Sequence, residues 1–227
     1  MTRLAGALVG LLAALPAVAL GAVAGTVVVE DWSKHPVGAK GIPEGWRGGQ
    51  TWGTPAYDFT VAEESPTKAL HLRSRADSST ISKQVKVNLK DTPILEWQWK
   101  AVTLPKGGDA RTKHTDDQAI QLYVTWERFP KLVRSRIIGY IWDSTAPAGS
   151  VIKSQKTGLI TYIVVRSGTT NLGKWLTEAR NVYEDYRRIY SEEPDEPSAV
   201  SIAIDSDDTN SSAEAYIGAI RFGRQKQ

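Results

Sequence analysis

The stretch HTDDQAIQLYVTWE, at residues 114–127, decides the fold class of this sequence. It begins with a charged segment that contains two adjacent aspartates and then alternates between apolar and more polar residues. The apolar positions are Ile120, Leu122, Val124 and Trp126. Side chains of a β-strand point alternately to its two faces, so this spacing predicts a strand with one face in a sheet-on-sheet core. The other face would meet solvent, a ligand or another layer.

Several other segments show the same two-residue period or a short β-branched run, and we predict strands there. They lie at residues 26–30, 68–74, 81–89, 94–102, 137–142, 159–165, 200–205 and 213–222. We expect 68–74 to pair with 81–89, and 159–165, which is almost wholly apolar, to be a central strand. A helix is predicted at 182–190, because Asn181 can cap it and Glu184 follows three residues later. The fold class is therefore all-β, an antiparallel β-sandwich or jelly roll with one short helix.

The N-terminal residues 1–24 have the pattern of a signal peptide. Arg3 supplies the positive charge, an apolar run follows, and the Ala22-Val23-Ala24 site predicts cleavage before Gly25. An uncleaved anchor is the alternative, because about 20 apolar residues can span a bilayer. After removal of the leader we expect no stable membrane span. We predict an exported protein, periplasmic or secreted, with a single β-sandwich domain at 25–227.

The overall charge argues against nucleic acid as a partner. The 28 basic and 25 acidic residues give a net charge of +3 and are mixed along the chain, so they form no basic tract. With no cysteine in the sequence, disulfides cannot support the fold, and stability must come from the core or from a metal.

A set of short motifs runs in order through most of the chain. They are WQW at 97–99, TDD at 115–117, YV at 123–124, YIW at 140–142, VRSG at 165–168, WLTEARNV at 175–182, DY at 185–186, IAID at 202–205 and AYIG at 215–218. In these motifs the sequence resembles the bacterial exported family catalogued as domain of unknown function 3047. Members of that family resemble galactose-binding-type jelly rolls, and the resemblance implies a carbohydrate-binding sandwich by analogy of fold.

Eight tryptophans are the main compositional feature. Flat aromatic rings stack on sugar C–H faces, while carboxylate and guanidinium groups bind sugar hydroxyls. The alternation favours a core position for Trp97, Trp99 and Trp126, whereas Trp32, Trp46, Trp52, Trp142 and Trp175 are equally compatible with core and ligand positions. The predicted ligand-binding residues are Asp116, Asp117, Trp142, Arg180 and Asp185.

Each polar member of that set also has a structural explanation. Asp116 and Asp117 can form a turn with a salt bridge to Arg111 or Arg180. Arg180 and Asp185 can form a buried ion pair that fixes the helix to the sandwich, an explanation we favour slightly over a ligand role.

A second acidic group, Asp205, Asp207 and Asp208, offers the densest set of oxygen ligands and predicts a possible calcium site. Glu30 and Asp31 are possible further ligands, since calcium in jelly rolls often lies near the terminal strands. The same residue types are also ordinary turn formers.

The function that we predict is that of an exported, non-catalytic binding protein for carbohydrate, polysaccharide or another cell-envelope component. One alternative is a glycan-active enzyme, a hydrolase or lyase that uses paired carboxylates such as Asp116 or Asp117 with Glu178 or Asp185. The other is a cell-envelope module that binds protein. The histidines show no metal spacing and no nucleophile motif is recognisable, so we assign no catalytic residue.

Overall fold

The computed structural model describes residues 25–49, 54–64 and 67–225. The predicted leader at 1–24 and Trp52 lie outside the described residues. The strands are β1 Val27–Glu30, β2 Arg47–Gly48, β3 Asp58–Glu64, β4 Thr67–Arg75, β5 Ser78–Gln84, β6 Ile94–Thr103, β7 Ile120–Trp126, β8 Arg136–Asp143, β9 Val151–Lys153, β10 Ile160–Ser167, β11 Leu176–Asn181, β12 Ala199–Asp205 and β13 Ser212–Gly223. The helices are α1 Lys131–Arg134 and α2 Val182–Tyr190.

The strands form two sheets, so the predicted β-sandwich is confirmed. The six-stranded sheet has the order β11-β6-β13-β4-β3, with β1 paired to β13, and the seven-stranded sheet has the order β2-β5-β12-β7-β8-β10-β9. All named strand pairs are antiparallel except β8 and β10, which run parallel. Among the described residues, no helix is long and apolar enough to cross a bilayer.

The core lies between the sheets and is rich in aromatic residues. Strand β7 supplies the predicted apolar side chains, all of them buried. Trp97 and Trp99 of β6 enter the same core from the six-stranded sheet. Their ring centroids lie 5.2 Å apart and the ring planes are at 88° to each other. This edge-to-face arrangement is one that aromatic pairs prefer.

Strand pairing was the weakest prediction. Strand β4 pairs with β3 and β13, whereas β5 belongs to the other sheet and pairs with β12. The expected pairing of 68–74 with 81–89 is therefore wrong, and the chain at 85–89 is not a strand. Strand β10 lies next to the edge strand β9 rather than at the centre of its sheet.

Helix α2 has the predicted bounds, and its N-terminus has the predicted cap. The side chain of Asn181 accepts a hydrogen bond from the Glu184 backbone N–H at 3.0 Å. Ser191 ends the helix in the left-handed conformation, with φ of 56°. The second helix, α1, is a four-residue turn between β7 and β8 that the sequence pattern did not predict.

An aromatic surface on the six-stranded sheet as the candidate functional site

The outer face of the six-stranded sheet carries a continuous row of large side chains. Alternation in β4 points Leu70 and Leu72 into the core and leaves His71 on the opposite face. His71 is opposite Tyr216 of β13, and Tyr216 is also opposite Lys100 of β6. The three side chains therefore lie side by side across three neighbouring strands.

Trp175 completes this surface from the loop before β11. Its side chain is 38% exposed, while the other described tryptophans are buried. The loop is shaped by Gly173, which has φ of 73° and whose N–H donates to the Ala101 carbonyl at 2.8 Å. The indole lies over β13, where Cζ3 is 3.5 Å from the position that a Cβ on Gly218 would occupy. The absence of a side chain at residue 218 thus makes room for the ring.

The aromatic rings contact one another through Tyr216. His71 stacks on Tyr216 with ring centroids 4.2 Å apart, and Trp175 meets Tyr216 edge-on at 6.3 Å. The Lys100 ammonium lies 4.1 Å from the Tyr216 ring centroid and 5.3 Å from that of Trp175. This cation–π contact favours a fixed arrangement of the two rings. We call Trp175, Tyr216, His71 and Lys100 the aromatic surface.

Two carboxylates fix the polar groups of the aromatic surface. Glu64 Oε2 accepts hydrogen bonds from Lys100 Nζ at 2.7 Å and from Trp175 Nε1 at 3.0 Å. The hydrogen bond from Lys100 lowers the pKa of Glu64, so this carboxylate is an anion at neutral pH. On the other side, His71 Nε2 is 2.7 Å from Glu214 Oε1. The surface therefore combines an open indole with charged and neutral hydrogen-bonding groups.

The residues predicted from sequence for ligand binding do not converge on one surface. Trp142 is only 1% exposed, and its Nε1 donates to the Gly168 carbonyl at 3.1 Å. Its ring centroid lies 5.9 Å from that of Trp99 in the core. Trp142 therefore has no open face for a ligand, and its expected stacking role is corrected.

Arg180 and Asp185 form an ion pair that joins β11 to α2. Arg180 Nε donates to Asp185 Oδ2 at 2.9 Å, and the buried Tyr140 hydroxyl donates to the same oxygen at 3.0 Å. The hydrogen bond to Asp185 raises the pKa of Arg180. This geometry matches the structural explanation, in which the pair fixes the helix to the sandwich: Arg180 belongs to β11 of the six-stranded sheet, and Tyr140 belongs to β8 of the seven-stranded sheet.

Asp117 binds the turn between β12 and β13. Its Oδ2 accepts from the Thr209 backbone N–H at 2.7 Å and from the Thr209 hydroxyl at 2.6 Å. Oδ1 accepts from the Asp208 N–H at 3.2 Å. The expected salt bridge to Arg111 is absent among the described contacts, because Arg111 pairs with Asp109 at 2.6 Å.

Asp116 is also buried, and its carboxylate belongs to a network of polar side chains. Gln118 Nε2 donates to its Oδ1 at 2.9 Å, and the Tyr162 hydroxyl lies 3.3 Å from its Oδ2. Burial raises the pKa of Asp116 to about 6 despite these contacts.

The acidic group that could hold a metal differs from the predicted one by one residue. Carboxylate oxygens of Asp117, Asp205 and Asp207 lie within 4.8 Å of one another. Asp207 Oδ1 is buried and has no hydrogen-bond partner in the described part of the chain. Burial, with the neighbouring charges of Asp117 and Asp207, raises the pKa of Asp205 strongly. Oxygen donors of this kind fit calcium, so a bound ion would relieve the repulsion. Asp208 instead pairs with Lys156.

Sequence comparison identifies a family, and structural comparison finds sandwich proteins. The family described as "Protein of unknown function (DUF3047)" matches residues 44–221. No curated protein matches the chain in sequence. Similar solved structures include the family 11 carbohydrate-binding module of cellulase Lic26A-Cel5E from Clostridium thermocellum, with 8% identity, a TM-score of 0.45 and coverage of 91% of this chain and 98% of that chain.

Two further structures have similar values. The family 30 carbohydrate-binding module of cellulase Cel9D-Cel44B from Clostridium thermocellum has 9% identity and a TM-score of 0.46, with coverage of 89% of this chain and 99% of that chain. The carbohydrate recognition domain of Emp47p has 13% identity and a TM-score of 0.46, with coverage of 91% and 100%.

Proposed function

The chain belongs to the family described as protein of unknown function DUF3047, and we propose that it is an exported, non-catalytic binding protein for carbohydrate. The ligand would stack on Trp175 and contact the rest of the aromatic surface. The proposal rests on the residues of this surface. Its central observation is that one described tryptophan remains exposed, on the outer face of a sheet and surrounded by hydrogen-bonding groups.

The exposed indole is unusual because the chain places its other described tryptophans in the core. Exposing part of so large an apolar side chain forgoes stabilisation of about 25 cal/mol per Å². The indole nitrogen is already bonded to Glu64, which holds the ring in one orientation before a ligand arrives. A fixed ring loses little conformational entropy on binding, so stacking on a sugar C–H face would be efficient.

Polar groups around the indole would recognise the hydroxyls. Lys100 and His71 are donors, while Glu64 and Glu214 are acceptors, and all four are partly exposed. Gln98 and Thr177, exposed on the neighbouring strands β6 and β11, extend the set. Hydrogen bonds from sugar hydroxyls to carboxylates are charge-assisted and therefore stronger than bonds between neutral groups. Donors and acceptors that lie side by side can bind the adjacent hydroxyls of a sugar ring.

The test is a panel of soluble polysaccharides in affinity electrophoresis, containing glucans, xylan, mannan, galactan and a uronic-acid polymer. We expect retardation of the protein by one or more of them. Trp175→Ala should weaken binding about tenfold or more, as expected for an aromatic residue that dominates a binding site. Trp175→Phe should retain part of the affinity because it keeps a flat ring.

Phe129→Ala is the matched control, because Phe129 is exposed and lies in the turn after β7, in the other sheet. It should bind the polysaccharide as the unmodified protein does. The proposal fails if no polysaccharide of the panel binds, or if Trp175→Ala and Phe129→Ala bind equally well. Release of reducing ends from a bound glycan would show catalysis and would overturn the non-catalytic assignment.

A further inference from the structure

The turn between β7 and β8 exposes three large apolar side chains in a segment of five residues. Phe129 is 86% exposed, Leu132 75% and Val133 74%. They lie in or directly before α1, none of whose residues is buried. We call residues 129–134 the hairpin tip.

This concentration is specific to the hairpin tip. Single exposed apolar residues are common on protein surfaces and need no explanation. Elsewhere in the described chain the large apolar side chains classed as exposed are less exposed and lie apart in sequence: Val28, Val37, Ile42, Val151 and Trp175. Three neighbouring apolar side chains that are mostly exposed to solvent indicate an interaction surface.

The charges of the segment are mainly positive. Residues 127–136 contain four cations and one anion. Lys131 and Arg134 lie on the tip itself, and Lys131 forms an exposed salt bridge with Glu127 at 2.6 Å. The apolar side chains are therefore accompanied by cationic groups at the outermost turn.

The other two cations fix the base of the hairpin to the protein. Arg128 Nη1 donates to Glu192 Oε1 at 2.9 Å, and Arg136 Nη1 donates to the Tyr186 hydroxyl at 2.8 Å. Tyr186 belongs to α2 and Glu192 follows that helix. Acidic partners thus sit at the base, and the tip extends beyond them with its apolar side chains and Arg134.

We propose that the hairpin tip docks on an anionic lipid surface. Phe129, Leu132 and Val133 would enter the boundary between headgroups and acyl chains, at a depth of about 5–10 Å. Lys131 and Arg134 would remain at the level of the lipid phosphates, where each cation contributes to attraction. This inference uses residues distinct from those of the aromatic surface and does not depend on the sugar-binding proposal.

The size of the hairpin tip favours lipid over a protein partner. A stable protein interface needs about 800 Å² from each partner and a well-packed centre. The hairpin tip is one four-residue helical turn with flanking residues, and none of the helical residues is buried. A fluid bilayer accommodates such a wedge without a complementary pocket.

The probes are unilamellar vesicles of phosphatidylcholine alone and of phosphatidylcholine with phosphatidylglycerol at about 3:1, a ratio that gives an anionic surface. In co-sedimentation at low salt we expect binding to the anionic vesicles and at least about tenfold weaker binding to the neutral ones. Phe129→Ser with Leu132→Ser should reduce binding to anionic vesicles by about tenfold or more. Arg134→Glu should reduce binding and flatten its dependence on salt.

A spectroscopic readout locates the inserted residue. Phe129→Trp should show quenching by lipids brominated in the acyl chain. Trp175→Ala is the matched control and should bind vesicles as the unmodified protein does. The proposal is overturned if anionic vesicles do not bind the protein, if the serine variant binds them equally, or if acyl-chain bromines do not quench Phe129→Trp. It is also overturned if the hairpin tip mediates only self-association, seen as a dimer in light scattering that the serine variant abolishes.

Discussion

His71 and Tyr216 stack face to face on the outer surface of the six-stranded sheet, with ring planes only 3° apart. The contact fixes the tyrosine ring against which Trp175 packs edge-on. Glu214 fixes the histidine in turn. His71 therefore acts as a support for the aromatic surface rather than as its centre.

From this arrangement we expect His71→Ala to weaken polysaccharide binding by about three- to tenfold, less than Trp175→Ala. The free energy of unfolding should fall by no more than about 1.5 kcal/mol, because one partly exposed aromatic pair is lost. Calorimetric titration and thermal unfolding measure the two effects. A loss of affinity equal to that of Trp175→Ala would mean that His71 contributes as much to ligand binding as the indole does and is more than a support.

The second prediction compares two tryptophans in different environments. Trp142→Ala should lower the free energy of unfolding by about 3–5 kcal/mol, because it leaves a cavity in the core beside Trp99. Trp175→Ala should cost about 1 kcal/mol or less, since the ring is partly exposed and lies on one face of the sheet. Urea denaturation of the two variants measures these losses in the free energy of unfolding. Equal losses would contradict the burial of Trp142.

Much of the fold follows from local sequence pattern. Alternation placed the strands that bury one face, such as β6 and β7, and the Asn181 cap placed α2. Strand β3 was missed because its sequence DFTVAEE has only two large apolar residues, Phe59 and Val61. Alternation also specifies which face is buried but not which strand is the neighbour, so β5 was assigned to the wrong sheet.

The aromatic surface could not be predicted in the same way. On sequence alone His71, Lys100 and Tyr216 occupy ordinary outward-facing positions of separate strands. Their convergence depends on the strand order of the six-stranded sheet and on a loop that lays Trp175 over Gly218. Conversely, Trp142 lies at the end of a strong strand, and only the packing of the two sheets shows that its ring is buried.

The third prediction concerns pH and the buried Glu30. Burial raises the pKa of this carboxyl, but hydrogen bonds from Lys83, Trp46 and the Trp32 backbone N–H outweigh it and lower the pKa to about 2. In the unfolded chain the pKa is about 4.3, so folding favours the ionised form. The resulting stabilisation, about 3 kcal/mol, is complete above pH 5 and is lost as the pH falls towards 2.

Glu30→Gln should therefore lower stability at pH 7 and reduce the slope of stability between pH 5 and pH 2. The midpoints of urea denaturation at several pH values measure both effects. Asp31→Asn is the control, because Asp31 is exposed and next in sequence. If the stability of Glu30→Gln and that of the unmodified protein changed in parallel between pH 5 and pH 2, the prediction would be contradicted. The same contacts occupy both Glu30 oxygens, which argues against the calcium role considered for this residue.

The fourth prediction distinguishes a metal site from an unrelieved acidic cluster at Asp117, Asp205 and Asp207. If calcium binds there, millimolar calcium should raise the melting temperature, because a ligand that binds only the folded state stabilises it. Asp207→Asn should abolish that rise, whereas Asp195→Asn, at an exposed carboxylate in the turn after α2, should not. Without a metal, the loss of one charge from the cluster should stabilise the protein with or without calcium. That second result would remove the calcium expectation.

The last prediction tests the position of Trp175 through the glycine beneath it. A Cβ at residue 218 would lie 3.1 Å from Gln98 Cβ and 3.5 Å from Trp175 Cζ3, so alanine needs only a small shift. The γ-methyl groups of Gly218→Val would require the indole to move, at a cost of about 1–3 kcal/mol in stability.

We therefore expect Gly218→Val to weaken polysaccharide binding about as much as Trp175→Ala does, and Gly218→Ala to retain most of the affinity. Gly223→Val is the matched control, because it lies at the end of the same strand and a Cβ there has no neighbour within 4 Å. Calorimetric titration of the folded variants gives the comparison. Full affinity in Gly218→Val would show that the ligand does not need the indole where the structure places it, and would move the binding surface away from Trp175.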